Sequence, residues 1–368
     1  MSALVQGPSR TWVVVLVAAL VSGAVVANTL VGYDGDATAF IGFGEGAAAT
    51  RAYAEERLGD VVLREKQGHD GKFFFIQAND PWLLDPSEHA ALLDPPVYRS
   101  QRMLYPVFAG VSGILRPEAI VWGLVLVNVI GMVLGTYATA RLARLLGGSQ
   151  WWGLAFVLNF GLLFDLKNDG AGIVAACLAI WGVLMLYQRQ HWWAVALFVG
   201  AVLAREVMLV TAAGAAAWHW FEGRRQKALA TAGIPLISLA VWIVYVTARL
   251  GSDRTSVGAF SAPLVGLVKA FQIWLEDPAN LVIGISVLLL MVIYTLRWST
   301  SRTALGWSYL GFVAVALVIS DRVWRQPFDF ARALAPLLTT AVLLVFVEVP
   351  SRPRSEDAAV AASTGSRS

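Results

Sequence analysis

Charged residues are scarce in this 368-residue chain, and hydrophobic residues dominate it. Lys, Arg, Asp and Glu make up 14% of the sequence, whereas hydrophobic residues make up 57%. Because soluble domains carry about 25% charged residues, this composition excludes an ordinary soluble protein and predicts an integral membrane protein in contact with the lipid bilayer. The formal net charge of +3 is too small and too widely spread to indicate a nucleic-acid partner.

Cysteine and the common catalytic motifs are also nearly absent. The single cysteine, Cys177, lies inside an apolar run, which excludes an intramolecular disulfide and supplies no metal-site spacing. The chain has no Walker loop and no G-x-S-x-G, H-E-x-x-H or haem-attachment pattern. These absences leave nucleotide hydrolysis, serine hydrolysis, zinc proteolysis and haem chemistry without support.

Long apolar runs are what the sequence has instead. A spanning helix needs about 20 mostly apolar residues, so the sequence predicts an all-α, polytopic transmembrane helix bundle with about ten spans. The expected ranges are 12–32, 117–140, 151–166, 170–187, 191–204, 206–221, 228–248, 279–296, 303–320 and 331–349. The third, fifth and sixth runs are short or ragged, so two of them would also fit half-helices.

Two segments fall outside this helical pattern. Residues 33–105 form a long first loop, within which 45–66 read as an amphipathic helix suited to a membrane surface. The tail 350–368 is small, polar and proline-containing, which predicts disorder. We therefore expect one transmembrane domain over 1–349, followed by a disordered tail.

Lys and Arg residues favour one set of short loops. With the N-terminus inside, the cytoplasmic loops receive Arg141, Arg144, Arg189, Arg224, Arg225, Lys227, Arg297 and Arg302. The positive-inside rule then predicts a multi-pass cell-membrane protein with both termini in the cytoplasm and the first loop outside. Arg10 and "VVAN" at the end of the first run would also fit a cleavable signal peptide, although the apolar run extends beyond a usual h-region.

Acidic and basic residues gather on the predicted outer face, where charges near the membrane are functional candidates. Asp70 lies in "GHDGKFFFIQANDP" at 68–81 and is followed by Phe73, Phe74 and Phe75. A carboxylate held beside aromatic rings is partly desolvated, which favours its neutral form and makes it a better proton acceptor. The same aspartate would also fit a plain turn before a membrane-surface helix.

Paired arginines follow in the same loop. In "YRSQRMLYP", Arg99 and Arg102 are three residues apart, so they share a face if the segment is helical. Two guanidinium groups on one face suit bidentate binding of a phosphate. The alternative is that both side chains snorkel to lipid headgroups where the chain re-enters the membrane.

Two short outer hairpins carry further candidate phosphate ligands. "FDLKNDG" contains Lys167, and "AREV" contains Arg205 and Glu206. We expect Lys167 and Arg205 to face a phosphate and Glu206 to hold Arg205 in place. An interfacial ion pair that only anchors the hairpin is the alternative.

The segment before the last span is rich in charge. "DRVWRQPFDFARALAP" places Arg322 before that span and Arg332 just inside it. An arginine at that depth needs a partner or a watery cavity, and Asp329, three residues earlier, is the expected partner. Both arginines are therefore substrate-binding candidates.

A short acidic motif follows the first span. Asp34-Gly35-Asp36 has the D-x-D form seen in many metal-using glycosyltransferases, which leaves a divalent cation open as a cofactor. "YDGD" also reads as a plain turn. No metal-ligand set is predicted from the sequence.

Taken together, these stretches resemble bacterial multi-spanning glycosyltransferases of the GT-C superfamily, which includes PIG-V-like mannosyltransferases. The family pattern is a first span, a long outer loop with "YDG-x-F-Y" and "A-x-D-P", and then "YR-x-QR-x-LYP". This chain has "GHDGKFFFIQANDP" and "YRSQRMLYP", and its "AREV" and "DFARALAP" are similar to the family's outer-loop arginine segments. The resemblance directly covers about a third of the chain.

The resemblance implies an inverting transferase that moves a sugar from a polyprenyl-phosphate donor to an extracytoplasmic glycan, lipid or protein. In such enzymes an acid of the first outer loop is the general base, which corresponds here to Asp70, with Asp36 as the rival because it lies nearer the first span. The sequence departs from the family where His69, Phe74 and Phe75 replace tyrosines, so hydrogen bonds from those hydroxyls to a sugar are missing.

The same resemblance assigns roles to the cationic residues. The polyprenyl phosphate would leave with a negative charge that Arg102, Arg205 and Arg332 stabilise, and the phenylalanines would stack on a sugar or cover the prenyl chain. The full set of expected substrate-binding residues is His69, Arg99, Arg102, Lys167, Arg205, Glu206, Arg322 and Arg332.

A multi-spanning transporter or lipid flippase without transferase activity is the competing interpretation. Secondary transporters favour inverted repeats and charges near the middle of the membrane. This sequence shows no repeat, and its charges gather at one face. The transferase interpretation is therefore preferred.

Overall fold

The computed structural model describes residues 11–112, 116–251, 258–298 and 302–345. The protein is 77% helical and nearly all-α, and the described residues contain one small sheet of two parallel strands. This confirms the predicted fold class at the level of a nearly all-α protein that contains helices long and apolar enough to cross a membrane. The predicted tail 350–368 lies outside the described residues.

The N-terminal part is a long helix followed by a folded first loop. Its elements are α1 (Thr11–Val31), β1 (Phe43–Gly44), α2 (Ala48–Leu58), β2 (Leu63–Arg64), α3 (Gly71–Asn79), α4 (Pro86–Leu92), α5 (Pro96–Arg99) and α6 (Leu104–Ser112). The amphipathic helix expected over 45–66 is therefore wrong in extent. Gly59, at φ +79°, ends α2, and β2 then pairs with β1.

The rest of the described chain is a helix bundle. Its elements are α7 (Pro117–Leu145), α8 (Leu154–Val157), α9 (Phe160–Lys167), α10 (Gly172–Tyr187), α11 (His191–Ala204), α12 (Leu209–Phe221), α13 (Arg225–Leu250), α14 (Val265–Trp274), α15 (Pro278–Trp298), α16 (Ala304–Val318), α17 (Asp321–Trp324) and α18 (Pro327–Leu344). Short 3₁₀ turns at Ala37–Phe40, Gln150–Gly153 and Glu206–Met208 join some of these helices.

Within the described ranges, five helices are long and apolar enough to cross a membrane: α1, α7, α13, α15 and α18. Four more apolar helices, α10, α11, α14 and α16, have 10–17 residues. At about 1.5 Å per residue these four are shorter than a hydrocarbon core of about 30 Å. The expected count of about ten spans is therefore not confirmed.

The span expected over 151–166 is broken at Asn159. The Asn159 side chain accepts a hydrogen bond from the Gly161 N–H at 3.1 Å, so it caps the start of α9. Its amide donates to the Ala335 carbonyl at 3.0 Å and to Thr339 Oγ1 at 3.3 Å, both on α18. An asparagine that caps one helix and binds another stabilises a break that the count of apolar residues does not reveal.

Three consecutive helices define two ends of the bundle. The 16 residues of α10 span about 24 Å at 1.5 Å per residue. Short connections make α11 antiparallel to α10 and α12 antiparallel to α11. We name the end with residues 165–172 and 204–208 the Asp70 end, and the end with residues 186–191 and 218–227 the His191 end.

Candidate functional site: an ion-pair network beside an amphipathic groove

Asp70 lies immediately before α3 and is held by two arginines from distant parts of the chain. Its Oδ1 accepts a hydrogen bond from Arg99 Nη1 at 3.0 Å, and its Oδ2 accepts one from Arg332 Nη2 at 3.3 Å. Its side chain makes no capping hydrogen bond to α3 and is 26% exposed. The structure thus brings together Asp70 and Arg332, which the sequence separates by 262 positions.

Arg332 has a second and closer acidic partner. Its Nε donates to Asp165 Oδ1 at 2.6 Å, and the Asp165 side chain is only 1% exposed. The expected pairing of Arg332 with Asp329 is therefore wrong. The side chain of Asp329 is exposed in the first turn of α18, whereas Asp165 on α9 is buried against that helix.

Arg205 binds the backbone of α18 at a position that a proline leaves open. Pro336 has no N–H, so the Arg332 carbonyl lacks its usual helical donor four residues on. Arg205 Nη1 donates to that carbonyl at 3.2 Å. The proline thus creates the acceptor that positions Arg205, and the expectation that Glu206 holds Arg205 is wrong.

Glu206 pairs instead with Arg102. Arg102 Nε and Nη2 donate to the two Glu206 carboxylate oxygens at 3.1 and 3.0 Å, a bidentate geometry, and Nη2 also donates to the Tyr98 hydroxyl at 2.7 Å. Burial alone would raise the pKa of Glu206, but Arg102 outweighs it and lowers the pKa to about 2. Glu206 is therefore ionised and holds Arg102 in place.

Arg99 and Arg102 do not share a helix face. The helix expected there ends early, since α5 stops at Arg99 and Arg102 lies in the link to α6. Pro95 and Pro96 mark the start of α5, and the helix is only one turn long. The two arginines nevertheless join the same network, because one reaches Asp70 and the other reaches Glu206.

The network carries an excess of positive charge. Arg99, Arg102 and Arg332 pair with the carboxylates of Asp70, Asp165 and Glu206. Arg205 joins the network through the Arg332 carbonyl and has no carboxylate within ion-pair distance among the described residues. Among these groups four guanidinium ions face three carboxylates. Asp169 lies nearby beside Tyr105, and burial raises the pKa of Asp169 well above its usual range, which favours its neutral form. This part of the described chain therefore favours an added negative charge.

Asp70 itself is ionised. Burial alone would raise the pKa of its carboxyl, but the guanidinium groups of Arg332, Arg99 and Arg102 outweigh burial and hold the pKa well below its usual range. The expectation that aromatic neighbours keep Asp70 neutral is therefore wrong. As long as both arginines are bound to it, the Asp70 carboxylate is a weak base.

The three phenylalanines after Asp70 belong to the protein core. Phe73, Phe74 and Phe75 are 5%, 3% and 0% exposed. Phe75 meets the rings of Phe43 and Tyr53 edge-on, and the Arg99 guanidinium lies over Phe73 at 4.3 Å. These rings are therefore not available to stack on a sugar or cover a prenyl chain, and that expectation is wrong.

A groove of about 640 Å³ lies beside the network, between α1, α9 and Phe328 of α18. Its apolar walls are formed by Val21, Ala24, Val25, Phe160, Leu163, Phe164 and Phe328. Its polar lining groups are Asn28, Thr29, Arg64, His69, Lys167 and Asn168. Asn28 and Thr29 lie near the end of α1, and Lys167 ends α9, so the polar groups occupy the Asp70 end of the groove.

The groove and the network share neighbouring residues. His69 precedes Asp70, and its ring meets Phe164 edge-on at 5.9 Å between centroids. The Arg332 guanidinium lies over the same Phe164 ring at 5.6 Å. Burial and the charge of Arg64 lower the pKa of His69, which favours its neutral form. The groove thus has a cationic mouth next to Asp70 and an apolar interior.

Other expected site residues have separate positions. Asp36 caps the 3₁₀ turn at Ala37–Phe40, where its Oδ1 accepts a hydrogen bond from the Thr38 N–H at 2.8 Å. Arg322 is exposed on α17, next to the backbone at Gly258. Among the described residues, no group of three or more His, Cys, Asp or Glu side chains is placed to hold a metal ion.

Sequence reasoning did not select three residues that the structure places at the site. Asp165 and Asp169 lie in "FDLKNDG", where they count among the charged residues of the predicted outer face, but the sequence predicts a substrate-binding role for Lys167 alone in this hairpin. Arg64 lies at the groove mouth, where it donates to the Ala39 carbonyl at 3.0 Å and covers the Tyr33 ring. Nothing in its local sequence indicated that position.

Comparisons of this chain with family models, curated proteins and solved structures find no match.

Proposed function

We propose that this protein is a membrane glycosyltransferase that moves a sugar from a polyprenyl-phosphate donor to an extracytoplasmic glycan, lipid or protein, with inversion at the sugar. The observation that carries the proposal is the groove whose cationic mouth adjoins the Asp70 ion-pair network. The resemblance of "YRSQRMLYP" and "DFARALAP" to GT-C segments supports the same chemistry.

The prenyl chain and the phosphate of the donor match the apolar interior and the cationic mouth of the groove. A prenyl chain lies along the apolar walls of α1 and α9, and the groove extends about 12 Å along α1, from Val21 in its apolar interior to Thr29 at its mouth. The phosphate lies at the mouth, where Arg64 and Lys167 supply positive charge. The unmatched guanidinium charge of the network stabilises the charge that develops on the leaving phosphate.

Asp70 is the proposed general base. The acceptor hydroxyl oxygen attacks the anomeric carbon, its proton passes to the Asp70 carboxylate, and the bond from that carbon to the phosphate oxygen breaks with its electron pair remaining on the phosphate. A donor phosphate that binds Arg332 or Arg99 weakens their hold on Asp70. This raises the basicity of Asp70 only when donor is present.

The site is proposed to face the outside of the cell membrane. Lys and Arg residues in the short loops favour the His191 end, which the positive-inside rule assigns to the cytoplasm. The polyprenyl-linked sugar and its acceptor therefore meet at the outer side of the bilayer.

Replacement of the proposed base tests the transferase proposal. We expect Asp70→Asn to lower turnover about a hundredfold or more, because a general base contributes at least that factor. Asp36→Asn is the matched control, since Asp36 caps a turn, and it should retain most of the activity. Membranes carrying each variant would be incubated with labelled polyprenyl-phosphate sugars, and transferred label would be measured.

Two outcomes would contradict the proposal. Undiminished turnover of a folded Asp70→Asn protein would remove Asp70 as the base. If the labelled sugar-lipid crossed the bilayer of vesicles that contain the protein, and no sugar was transferred to any acceptor, the flippase interpretation would be favoured. Thermal unfolding of both variants in detergent shows whether either change acts through stability.

A further inference from the structure

A second cavity, of about 530 Å³, lies at the His191 end of the bundle. The lining residues that bear on its chemistry are Arg189, His191, Trp218, His219, Arg224 and Lys227. The α10 helix separates this cavity from the Asp70 network by about 24 Å along its axis. It is therefore a different site from the proposed transferase centre, and nothing in its interpretation depends on that proposal.

Two buried histidines are among the residues that line this cavity. His191 and His219 are 9% and 3% exposed, and their ring centroids are 5.3 Å apart. Neither ring nitrogen of either histidine has a hydrogen-bond partner among the described residues. His219 stacks on Trp218 at 4.7 Å, which fixes the orientation of its ring. Buried polar nitrogens are costly unless they are paired, so these imidazoles indicate a bound polar group.

The charge around the imidazoles selects an anion. Arg189, Arg224 and Lys227 line the cavity, whereas the one carboxylate in ion-pair range of these cations in the described chain is Glu222, at 3.9 Å from Arg224. Three cations oppose the binding of a metal ion by the two histidines. They favour a ligand with at least one full negative charge.

Two helices also begin at this cavity. His191 is the first residue of α11, which has 14 residues, and Arg225 is the first residue of α13, which has 26. Neither helix has a side-chain cap on its first-turn N–H groups. Uncapped N–H groups and the positive end of the helix dipole bind phosphate and similar anions.

We infer that this cavity binds a phosphate-bearing anion, and that its source is the headgroup of an anionic phospholipid. Trp192 and Trp193, which follow His191, are both 68% exposed, and Trp220 and Phe221 are exposed beside His219. Exposed aromatic residues of this kind lie at the headgroup level of a bilayer. Basic pockets between helices at that level suit phosphate headgroups.

Lipid retention by the full-length protein tests this inference. The protein would be reconstituted in vesicles of phosphatidylcholine with phosphatidylglycerol, extracted mildly, and its bound lipid measured by native mass spectrometry. We expect selective retention of phosphatidylglycerol, which the double variant Arg224→Gln with Lys227→Gln lowers by roughly fivefold for each cation removed. Arg225→Gln is the matched control, because Arg225 is exposed at the same end, lies over Trp220 and does not line the cavity.

A second arm identifies the source of the phosphate. If phosphatidylglycerol is not selected, but inorganic phosphate raises the unfolding temperature of the parent protein and not of the double variant, the site binds a free phosphate-bearing anion. If neither probe binds, or if Arg225→Gln removes as much lipid as the double variant, the inference is overturned. Arg224 and Lys227 are exposed, so the double variant is expected to fold.

Discussion

Asp165 is the acidic residue on which the geometry of Arg332 depends most. Its side chain is 1% exposed, and its Oδ1 accepts from Arg332 Nε at 2.6 Å. Asp70 meets the same guanidinium at 3.3 Å and is more exposed. Removal of one member of a buried ion pair leaves the other charge without compensation, which costs more than the pair contributes when intact.

We predict that Asp165→Asn destabilises the protein by about 3 to 5 kcal/mol, because it leaves Arg332 partly unpaired in a buried site. The matched control is Asp321→Asn, which breaks the exposed Asp321–Arg325 pair on one turn of helix. The control should cost about 0.5 kcal/mol or less. Thermal unfolding in detergent measures both effects, and equal losses would show that the Asp165 pair is not the stronger one.

The important charged residues could be selected from the sequence, but their partners could not. Asp70, Arg102 and Arg332 stand out because ionised groups are rare in so apolar a chain. Their pairings depend on tertiary packing: Arg332 reaches Asp165 across 167 positions, and Arg102 reaches Glu206 across 104. The two pairings that the structure contradicts, Arg332 with Asp329 and Arg205 with Glu206, join residues close in sequence. Sequence patterns favour such local pairs, whereas tertiary packing decides which groups actually meet.

Among the elements, α9 and α18 determine the site, since one carries Asp165 and the other carries Arg332. They approach closely at Gly161. A Cβ placed on Gly161 would lie 2.2 Å from the Ala331 carbonyl oxygen and 2.9 Å from the Arg332 nitrogen. Backbone atoms cannot move aside as a flexible side chain does, so any larger residue must separate the two helices.

We predict that Gly161→Ala destabilises the protein by about 1 to 3 kcal/mol, as overpacking of a close contact does. If the proposed sugar transfer is correct, the change should also reduce it, because separation of α9 from α18 stretches the Asp165–Arg332 pair. Gly23→Ala on α1 is the control, since a Cβ at Gly23 meets nothing within 4 Å. That change should stabilise by up to about 1 kcal/mol. If the unfolding temperatures of Gly161→Ala and Gly23→Ala shifted in the same direction, the close contact at Gly161 would not be the cause.

Helices formed by a long, continuous apolar run could be predicted from the sequence. Apolar runs that are broken into shorter helices could not. The runs at 12–32 and 228–248 correspond closely to α1 and α13. The break at Asn159 depends on hydrogen bonds to α18, and α14 is only 10 residues long. In the first loop, a single left-handed glycine and a two-residue parallel pairing divide what periodicity reads as one helix.

At the scale of the whole molecule, the two cavities lie at opposite ends of the bundle. Arg249, near the end of α13, donates to the Leu83 carbonyl, which places the segment before α4 at the Asp70 end. Gln190 lies at the His191 end and is exposed. The distribution of Lys and Arg in the short loops predicts that these ends face opposite sides of the membrane.

We predict that a membrane-impermeant maleimide added to intact cells labels Ser87→Cys, and that it labels Gln190→Cys only after the membrane is opened. Both positions are exposed in the structure. The native Cys177 is buried, and its replacement by alanine removes any background. Labelling of both positions from the same side would refute the orientation and, with it, the extracytoplasmic placement of the site.

Pro336 has a consequence for recognising distant counterparts of this protein in genomes. Because an imino acid frees the Arg332 carbonyl for Arg205, the informative signature is an arginine four positions before a proline, together with a remote Ala-Arg-Glu. A sequence search that requires these residues at this spacing, and places no constraint on the helices between them, would detect proteins that keep this contact although their overall sequence identity is low.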